Sequence, residues 1–186
     1  MNRDTRFTIR IIVEAGMMLA LTVLLGQIKL WTAAYGGSVT AGSMIPLLLL
    51  AMLRGPKVGI IVGAVYGVLN YLLGGWFVHP MQWLLDYPLA FAGLGVAGFF
   101  WLPALRKRGP RFVLPVLAAV VGIGLRLLSH FLAGIWFWGH LAPEGMPVWV
   151  YSLVYNAQYL VPEVIVSAVL IIYLAPTLTK FLETRV

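Results

Sequence analysis

Apolar residues run through this chain in long blocks rather than in short alternations. Five blocks approach or exceed the length that crosses a bilayer: Ile11 to Leu30, Val58 to Leu73, Met81 to Leu102, Phe112 to Trp138 and Trp149 to Leu174. A hydrocarbon core about 30 Å thick takes about 20 helical residues, so blocks of this length predict membrane helices. A sixth block, Ile45 to Leu53, is too short to cross at full thickness and predicts a short or tilted helix inside a bundle. Ser43 offers a cap at its start, and Pro46 falls in the first turn, where a missing N–H costs little. The stretch "RGPK", Arg54 to Lys57, then breaks the chain. The pattern predicts an all-α integral membrane protein. One domain, 1–186, forms a single six-transmembrane-helix bundle, with helices at roughly 8–30, 43–54, 57–73, 80–103, 111–139 and 149–178.

Composition supports a bilayer as the solvent. The 186 residues are 61% hydrophobic and 10% charged, too few charges to keep so much apolar surface in water. The absence of cysteine excludes a disulfide framework, a thiolate nucleophile and a thiolate metal site. Three histidines without HExxH or His-x-x-x-His spacing predict no metal site. The net charge of +7 would suit nucleic acid only if a soluble element carried a basic face, and none is visible.

Membrane topology accounts for the charge instead. With six helices and both ends on one side, that side holds Arg3, Arg6, Arg10, Arg54, Lys57, Arg106, Lys107, Arg108, Arg111, Lys180 and Arg185, leaving only Lys29 and Arg126 elsewhere. The positive-inside rule then places both termini in the cytoplasm. The opposite loops, "TAAYGGSVTAGS", "GGWFVHP" and "GHLAPEGMP", have no Lys or Arg and are rich in aromatic residues, Gly and Pro, as suits an outer interface. The N-terminus imitates a secretory signal, but its apolar block contains Glu14 and runs on to Leu30, so it reads as a retained first span.

Small residues mark close helix contacts. Gly59, Gly63 and Gly67 recur every four residues on the third helix, and Gly16 and Ala20 sit one turn apart on the first. Packing within the bundle explains the third helix. For the first, packing and docking to another membrane subunit both stand.

Ionisable groups at membrane depth cost about 2.5–3.5 kcal/mol each on insertion scales, so they face partners or wet cavities. Glu14 and Glu163 read as members of a helix-packing pair or an interface before they read as ligand contacts. Arg126, His130, Gly134 and Trp138 follow one another at intervals of four, on one gently drifting stripe of the fifth helix. Singly, each has a structural explanation: Arg126 pairing with Asp86, His130 bonding a carbonyl, Trp138 in the interfacial belt. Together on one face they indicate a site.

Complementary groups lie on the neighbouring helices. The fourth supplies Asp86 and Tyr87, and the sixth supplies Trp149, Tyr151, Ser152 and Asn156 at similar depth. A carboxylate, aromatic rings and hydrogen-bonding side chains around one cavity suit a small, flat, positively charged heterocycle. A cation over Trp gains about 0.5–2 kcal/mol, and a buried carboxylate adds charge-assisted hydrogen bonds. The first outer loop, with Trp31 and Tyr35 before "GGS", has glycines to fold over the opening.

Four stretches carry a resemblance: "GGSVTAGSMIPLLLLAMLRGPKVGIIVGAVYGVLNYLLG", "HPMQWLLDYPLAFAGLGVAG", "HFLAGIWFW" and "YSLVYN". In their order and spacing the chain resembles the thiamine-specific substrate-binding (S) components of energy-coupling factor (ECF) transporters, the ThiT/YuaJ family, from about Ile11 to Leu174. The resemblance implies a six-helix bundle in a prokaryotic cell membrane, with a vitamin site near the outer face under the first loop. Carried over by motif, the substrate-binding residues are Trp31, Asp86, Tyr87, Arg126, His130, Gly134, Trp138, Tyr151, Ser152 and Asn156. The small-residue docking motif falls on Gly16 and Ala20. Two positions depart from the family: it commonly has glutamate at Asp86 and lysine at Arg126, which here becomes a planar fork.

The function implied is high-affinity thiamine capture and uptake, with thiamine as transported ligand and no cofactor. The implied partner is an energising module of a transmembrane coupling subunit and two ATPases. The chain has no GxxxxGK[ST] loop, so ATP hydrolysis falls to other subunits and the chain itself is not read as an enzyme. A stand-alone proton-coupled thiamine carrier, titrating at Asp86 or Glu163, is the alternative, as is an S component for a different vitamin. An intramembrane enzyme is disfavoured: Ser129 and His130 are adjacent and point about 100° apart on one helix, and there is no GxSxG elbow. Two arrangements fit Arg126, contact with the vitamin or support of Asp86.

Overall fold

The structure, a computed structural model, describes residues 3–100 and 113–183. Helix α1 (Arg3–Gln27) leads into an antiparallel hairpin of β1 (Lys29–Thr32) and β2 (Ser38–Thr40). Helices α2 (Ile45–Arg54), α3 (Pro56–Leu72), α4 (Pro80–Phe100), α5 (Val113–Phe137) and α6 (Val148–Glu183) follow. The fold is an all-α membrane bundle. Among the described residues four helices are long and apolar enough to span: Thr8–Gln27, Pro80–Phe100, Val113–Phe137 and Val148–Leu174. Helices α2 and α3 are shorter, at 10 and 17 residues. The basic residues Arg106, Lys107, Arg108, Arg111 and Arg185 lie outside the described residues, as do the expected helix ends at 101–103 and 111–112.

The short α2 sits at the centre. Leu47, Leu48, Leu50, Ala51 and Met52 are all buried. A helix that is apolar on every side belongs inside the protein. Its start differs from the expectation at Ser43. The N-cap is Met44, without a side-chain cap bond. Ser43 instead turns back to the hairpin, its N–H donating to Thr40 Oγ1 (3.1 Å) and its hydroxyl lying 2.8 Å from that oxygen. Gly55, at φ 87°, makes the reversal into α3, a conformation that other residues rarely adopt.

Helix α4 is expected to be continuous but is not. An α-helical turn at Pro80–Leu84 opens into a π turn at Leu85–Leu89, closes at Ala90–Ala92 and tightens into a 3-10 stretch at Gly93–Ala97. Pro88 causes the opening, because it has no N–H to donate and its ring crowds the preceding turn. The glycine stripe of α3 fits this uneven backbone. A methyl group on Gly59 would meet Ala51 and Gly95, one on Gly63 the Phe91 carbonyl, and one on Gly67 the Tyr87 carbonyl and Pro88.

Helix α1 is attached differently. Its Glu14 carboxylate accepts two hydrogen bonds of 2.6 Å from Arg54 at the end of α2, and one of 3.1 Å from Arg10. Glu14 is thus a helix-packing group. Gly16 and Ala20 lie on the exposed face of α1, with no atom within 4 Å of a methyl built on Gly16.

Close backbone contact between α3 and α4 makes Gly67 sensitive. Gly67→Val is expected to destabilise the protein by about 1–3 kcal/mol or more, whereas Gly124→Ala, with nothing within 4 Å of the new methyl, leaves stability unchanged or slightly raised. Thermal unfolding in detergent measures both.

Candidate functional site

A cavity of about 880 Å³ opens between the hairpin and helices α3 to α6. Of the ten candidate residues, nine line it: Asp86, Tyr87, Arg126, His130, Gly134, Trp138, Tyr151, Ser152 and Asn156. The tenth, Trp31, stands on β1 with 45% of its surface exposed and is not part of the wall. The loop contributes Tyr35 to the wall instead, its ring 6.1 Å from that of Tyr155.

Asp86 has three side-chain partners in and beside the cavity. Its Oδ2 accepts from Gln82 Nε2 (2.8 Å) and from Trp138 Nε1 (3.2 Å), and its Oδ1 lies 3.0 Å from His130 Nδ1. Arg126 Nε donates to His130 Nε2 at 3.3 Å. A ring nitrogen that accepts carries no proton, so the imidazole proton sits on Nδ1 and is donated to Asp86. Arg126 is further held by Met44 Sδ (3.1 Å) and lies over the Phe91 ring, 4.3 Å from its centre. It therefore reaches Asp86 through His130 rather than by a direct ion pair.

The π turn presents Asp86 and Tyr87. Ser129 on α5 donates to the Leu85 carbonyl at 2.6 Å, so a backbone acceptor in the irregular turn has a partner. Tyr87 reaches the other way, its hydroxyl accepting from the Trp76 N–H at 2.6 Å. Gln82, fully buried, bonds Val78 N (3.1 Å) and Trp76 O (3.3 Å) as well as Asp86, tying the α3–α4 loop to the carboxylate.

Helices α5 and α6 meet at Gly134, where any side chain would strike Ser152 Oγ. Ser152 donates to Phe131 O (2.8 Å), and Asn156 Nδ2 donates to Ser152 O (2.9 Å). Tyr159 donates to Asn156 Oδ1 at 2.5 Å. Tyr151, Tyr155 and Tyr159 form a ring-to-ring ladder with centres 6.0 Å apart at each step. Tyr155, Tyr159, Gln82 and the α3 pair Tyr66 and Asn70 escape the sequence reading. The signal was present, since the tyrosines recur every four residues and Gln82 precedes Asp86 by one turn.

The hairpin covers the cavity and is fastened to α6. Gly37 N donates to Tyr155 Oη at 3.4 Å. Deeper, Glu163 Oε1 accepts from Thr40 N (2.6 Å) and Thr40 Oγ1 (2.7 Å). Among the described residues no three His, Asp or Glu side chains gather as a metal-binding group. The arrangement can hold a flat cationic ligand between aromatic rings beside a fixed carboxylate.

Comparison with known proteins gives concordant matches. The family of thiamine transporter proteins (Thia_YuaJ) matches residues 12–183. The thiamine transporter ThiT of Bacillus subtilis (strain 168) is 36% identical over 182 residues, covering 93% of this chain and 94% of the relative. The thiamine transporter ThiT of Lacticaseibacillus paracasei is 33% identical over 155 residues, covering 78% of this chain and 77% of the relative. A solved structure of ThiT from Listeria monocytogenes superposes with TM-score 0.81 at 26% identity, covering 93% of this chain and 97% of the other. The S component of a bacterial ECF transporter shares the fold, with TM-score 0.58 at 22% identity over 94% of this chain and 98% of the other.

Removal of the Ser129 hydroxyl leaves the Leu85 carbonyl buried without that donor. Ser129→Ala is expected to cost about 1–3 kcal/mol, read as a fall in melting temperature of the ligand-free protein.

Proposed function

The chain belongs to the thiamine transporter (Thia_YuaJ) family, and we propose that it captures thiamine with high affinity in the cavity beneath the hairpin. It acts as the S component of an ECF transporter and passes the vitamin inward with an energising module. That module comprises a transmembrane coupling subunit and two ATPases. The chain is a transporter subunit of a multi-pass membrane protein class; its place is the prokaryotic cell membrane, with both termini cytoplasmic. The bare face of α1 around Gly16 and Ala20 docks the coupling subunit.

The observation that carries the reading is the Asp86 carboxylate, held by Gln82, His130 and Trp138 and opening on an aromatic-walled cavity. A carboxylate has about four acceptor positions. Three are occupied here, which leaves one for an N–H of the ligand while the negative charge remains to offset its cation. The His130 and Trp138 rings stack on the heterocycles, and a cation over such a face gains about 0.5–2 kcal/mol. Tyr87, Tyr151, Ser152 and Asn156 shape the opposite wall, and Gly134 keeps it close. Arg126 supports the imidazole and acts on the ligand through it.

Titration of the purified protein with thiamine is expected to quench tryptophan fluorescence saturably at or below micromolar ligand; no saturable quenching at micromolar thiamine refutes the assignment. Asp86→Asn weakens thiamine binding by about 10- to 100-fold, more than Glu163→Gln does, and equal small effects would remove Asp86 from the site. Vesicles that contain this chain alone should not accumulate thiamine. Accumulation abolished by a protonophore would instead establish a proton-coupled carrier.

A further inference from the structure

The segment between α3 and α4, Leu73 to His79, is apolar on its outside and bonded to protein on its inside. Leu72, Leu73, Trp76, Phe77 and Val78 each expose more than half of their surface, and the stretch "GGWFVHP" carries no Lys, Arg, Asp or Glu. Apolar side chains gathered on one short loop mark a contact surface.

The backbone of the loop indicates the kind of contact. The N–H groups of Leu73, Gly74 and Gly75 donate back to the Leu69 and Tyr71 carbonyls at the end of α3. Trp76 N–H donates to Tyr87 Oη (2.6 Å), and Val78 N–H to Gln82 Oε1 (3.1 Å). Gln82 Nε2 returns a bond to the Trp76 carbonyl (3.3 Å) while it holds Asp86. This amide is fully buried and fits one way round: Val78 needs an acceptor, so the oxygen faces the loop and the nitrogen is left for Trp76 and Asp86. Five of the seven N–H groups from Leu73 to His79 are thus satisfied by protein. On a wet surface water would serve them; in hydrocarbon nothing else can.

The length of α3 sets the depth. Lys57, exposed at its start, carries a charge that belongs at a membrane surface, and the helix ends fifteen residues later at Leu72. At 1.5 Å per residue that reach is about 22 Å. A hydrocarbon core is about 30 Å thick, and any tilt shortens the reach further. The bonds to Gln82, in the first turn of α4, then hold the loop beside that helix.

We propose that this loop lies in the acyl-chain region of the leaflet on the cavity side, below its headgroups, with Gln82 and Tyr87 as the backbone partners that water would otherwise supply. Its partner is lipid hydrocarbon. Leu73, Gly74, Gly75 and Trp76 also line the cavity, so the loop is a thin wall with lipid on one side and the ligand space on the other. One buried amide, Gln82, serves both the wall and the Asp86 carboxylate behind it.

The native chain has no cysteine, so a nitroxide can be attached at one chosen position. Val78→Cys and, as the wet reference, Glu144→Cys in the exposed loop before α6 are labelled and placed one copy per lipid nanodisc. Electron paramagnetic resonance then reads collisions with oxygen, which concentrates in lipid, and with a water-soluble nickel chelate. The oxygen-to-nickel ratio at position 78 should exceed that at 144 by about fivefold or more. A smaller excess puts the loop in water and overturns the proposal, as does a label at 78 that neither agent reaches, which would mean cover by protein. Gln82→Met, added to Val78→Cys, removes both loop bonds at nearly constant volume. The loop should then rise toward water and the ratio at 78 fall by about twofold or more; a smaller change overturns the part assigned to Gln82. Tyr87→Phe, which bares only the Trp76 N–H, makes the same test by a milder change and is read in the same way.

Discussion

At membrane depth a backbone N–H or C=O has no water to turn to, so irregular chain survives there only where the protein supplies its partners. The cavity of this protein is built around two such irregularities. The hairpin dips between α1 and α6, and Glu163 takes up the Thr40 N–H. The π turn of α4 frees carbonyls near Pro88, and Ser129 takes up that of Leu85. Gly63 and Gly67 bring the α3 backbone against the Phe91 and Tyr87 carbonyls of the same stretch. Without these partners neither Asp86 nor the cover would hold its position.

Electrostatics inside the cavity follow from how its few charged groups are occupied. Asp86, His130 and Arg126 form a chain in which each member fixes the next: the guanidinium holds the proton-free nitrogen of His130, and the remaining N–H meets the carboxylate. The ring orientation is thereby set from both sides. Arg126, whose planar fork also spans Met44 and Phe91, serves as scaffolding for the imidazole. A lysine, with one compact charge, would not span the same three partners.

The sequence exposes those features that repeat at helical spacing. Long apolar blocks predict the membrane helices, and the four-residue rhythm of Arg126, His130, Gly134 and Trp138 predicts a shared face, which the structure turns to one cavity. Features that depend on contacts between distant segments stay hidden. Strands of four and three residues are too short to show a period. Pro88 signals a disturbance in α4, but the partner that tolerates it, Ser129, is 44 residues away from Leu85. Ser43 has the right chemistry for a helix cap, yet Thr40 competes for it and wins. In the first loop the resemblance points to Trp31, which stands on β1 outside the cavity wall, whereas Tyr35, in the turn between the strands, lines the cavity.

The connection between α1 and the hairpin has a mechanical side. Helix α1 ends at Gln27 and β1 begins at Lys29, so a single residue, Ile28, joins them. The helix is the least enclosed of the spanning segments, with 6% of its span buried, whereas the far strand is pinned to α6 at Thr40. The cover is thus a short linkage between a lever and a fixed frame. Any tilt of the lever has one residue of slack before it pulls on the lid.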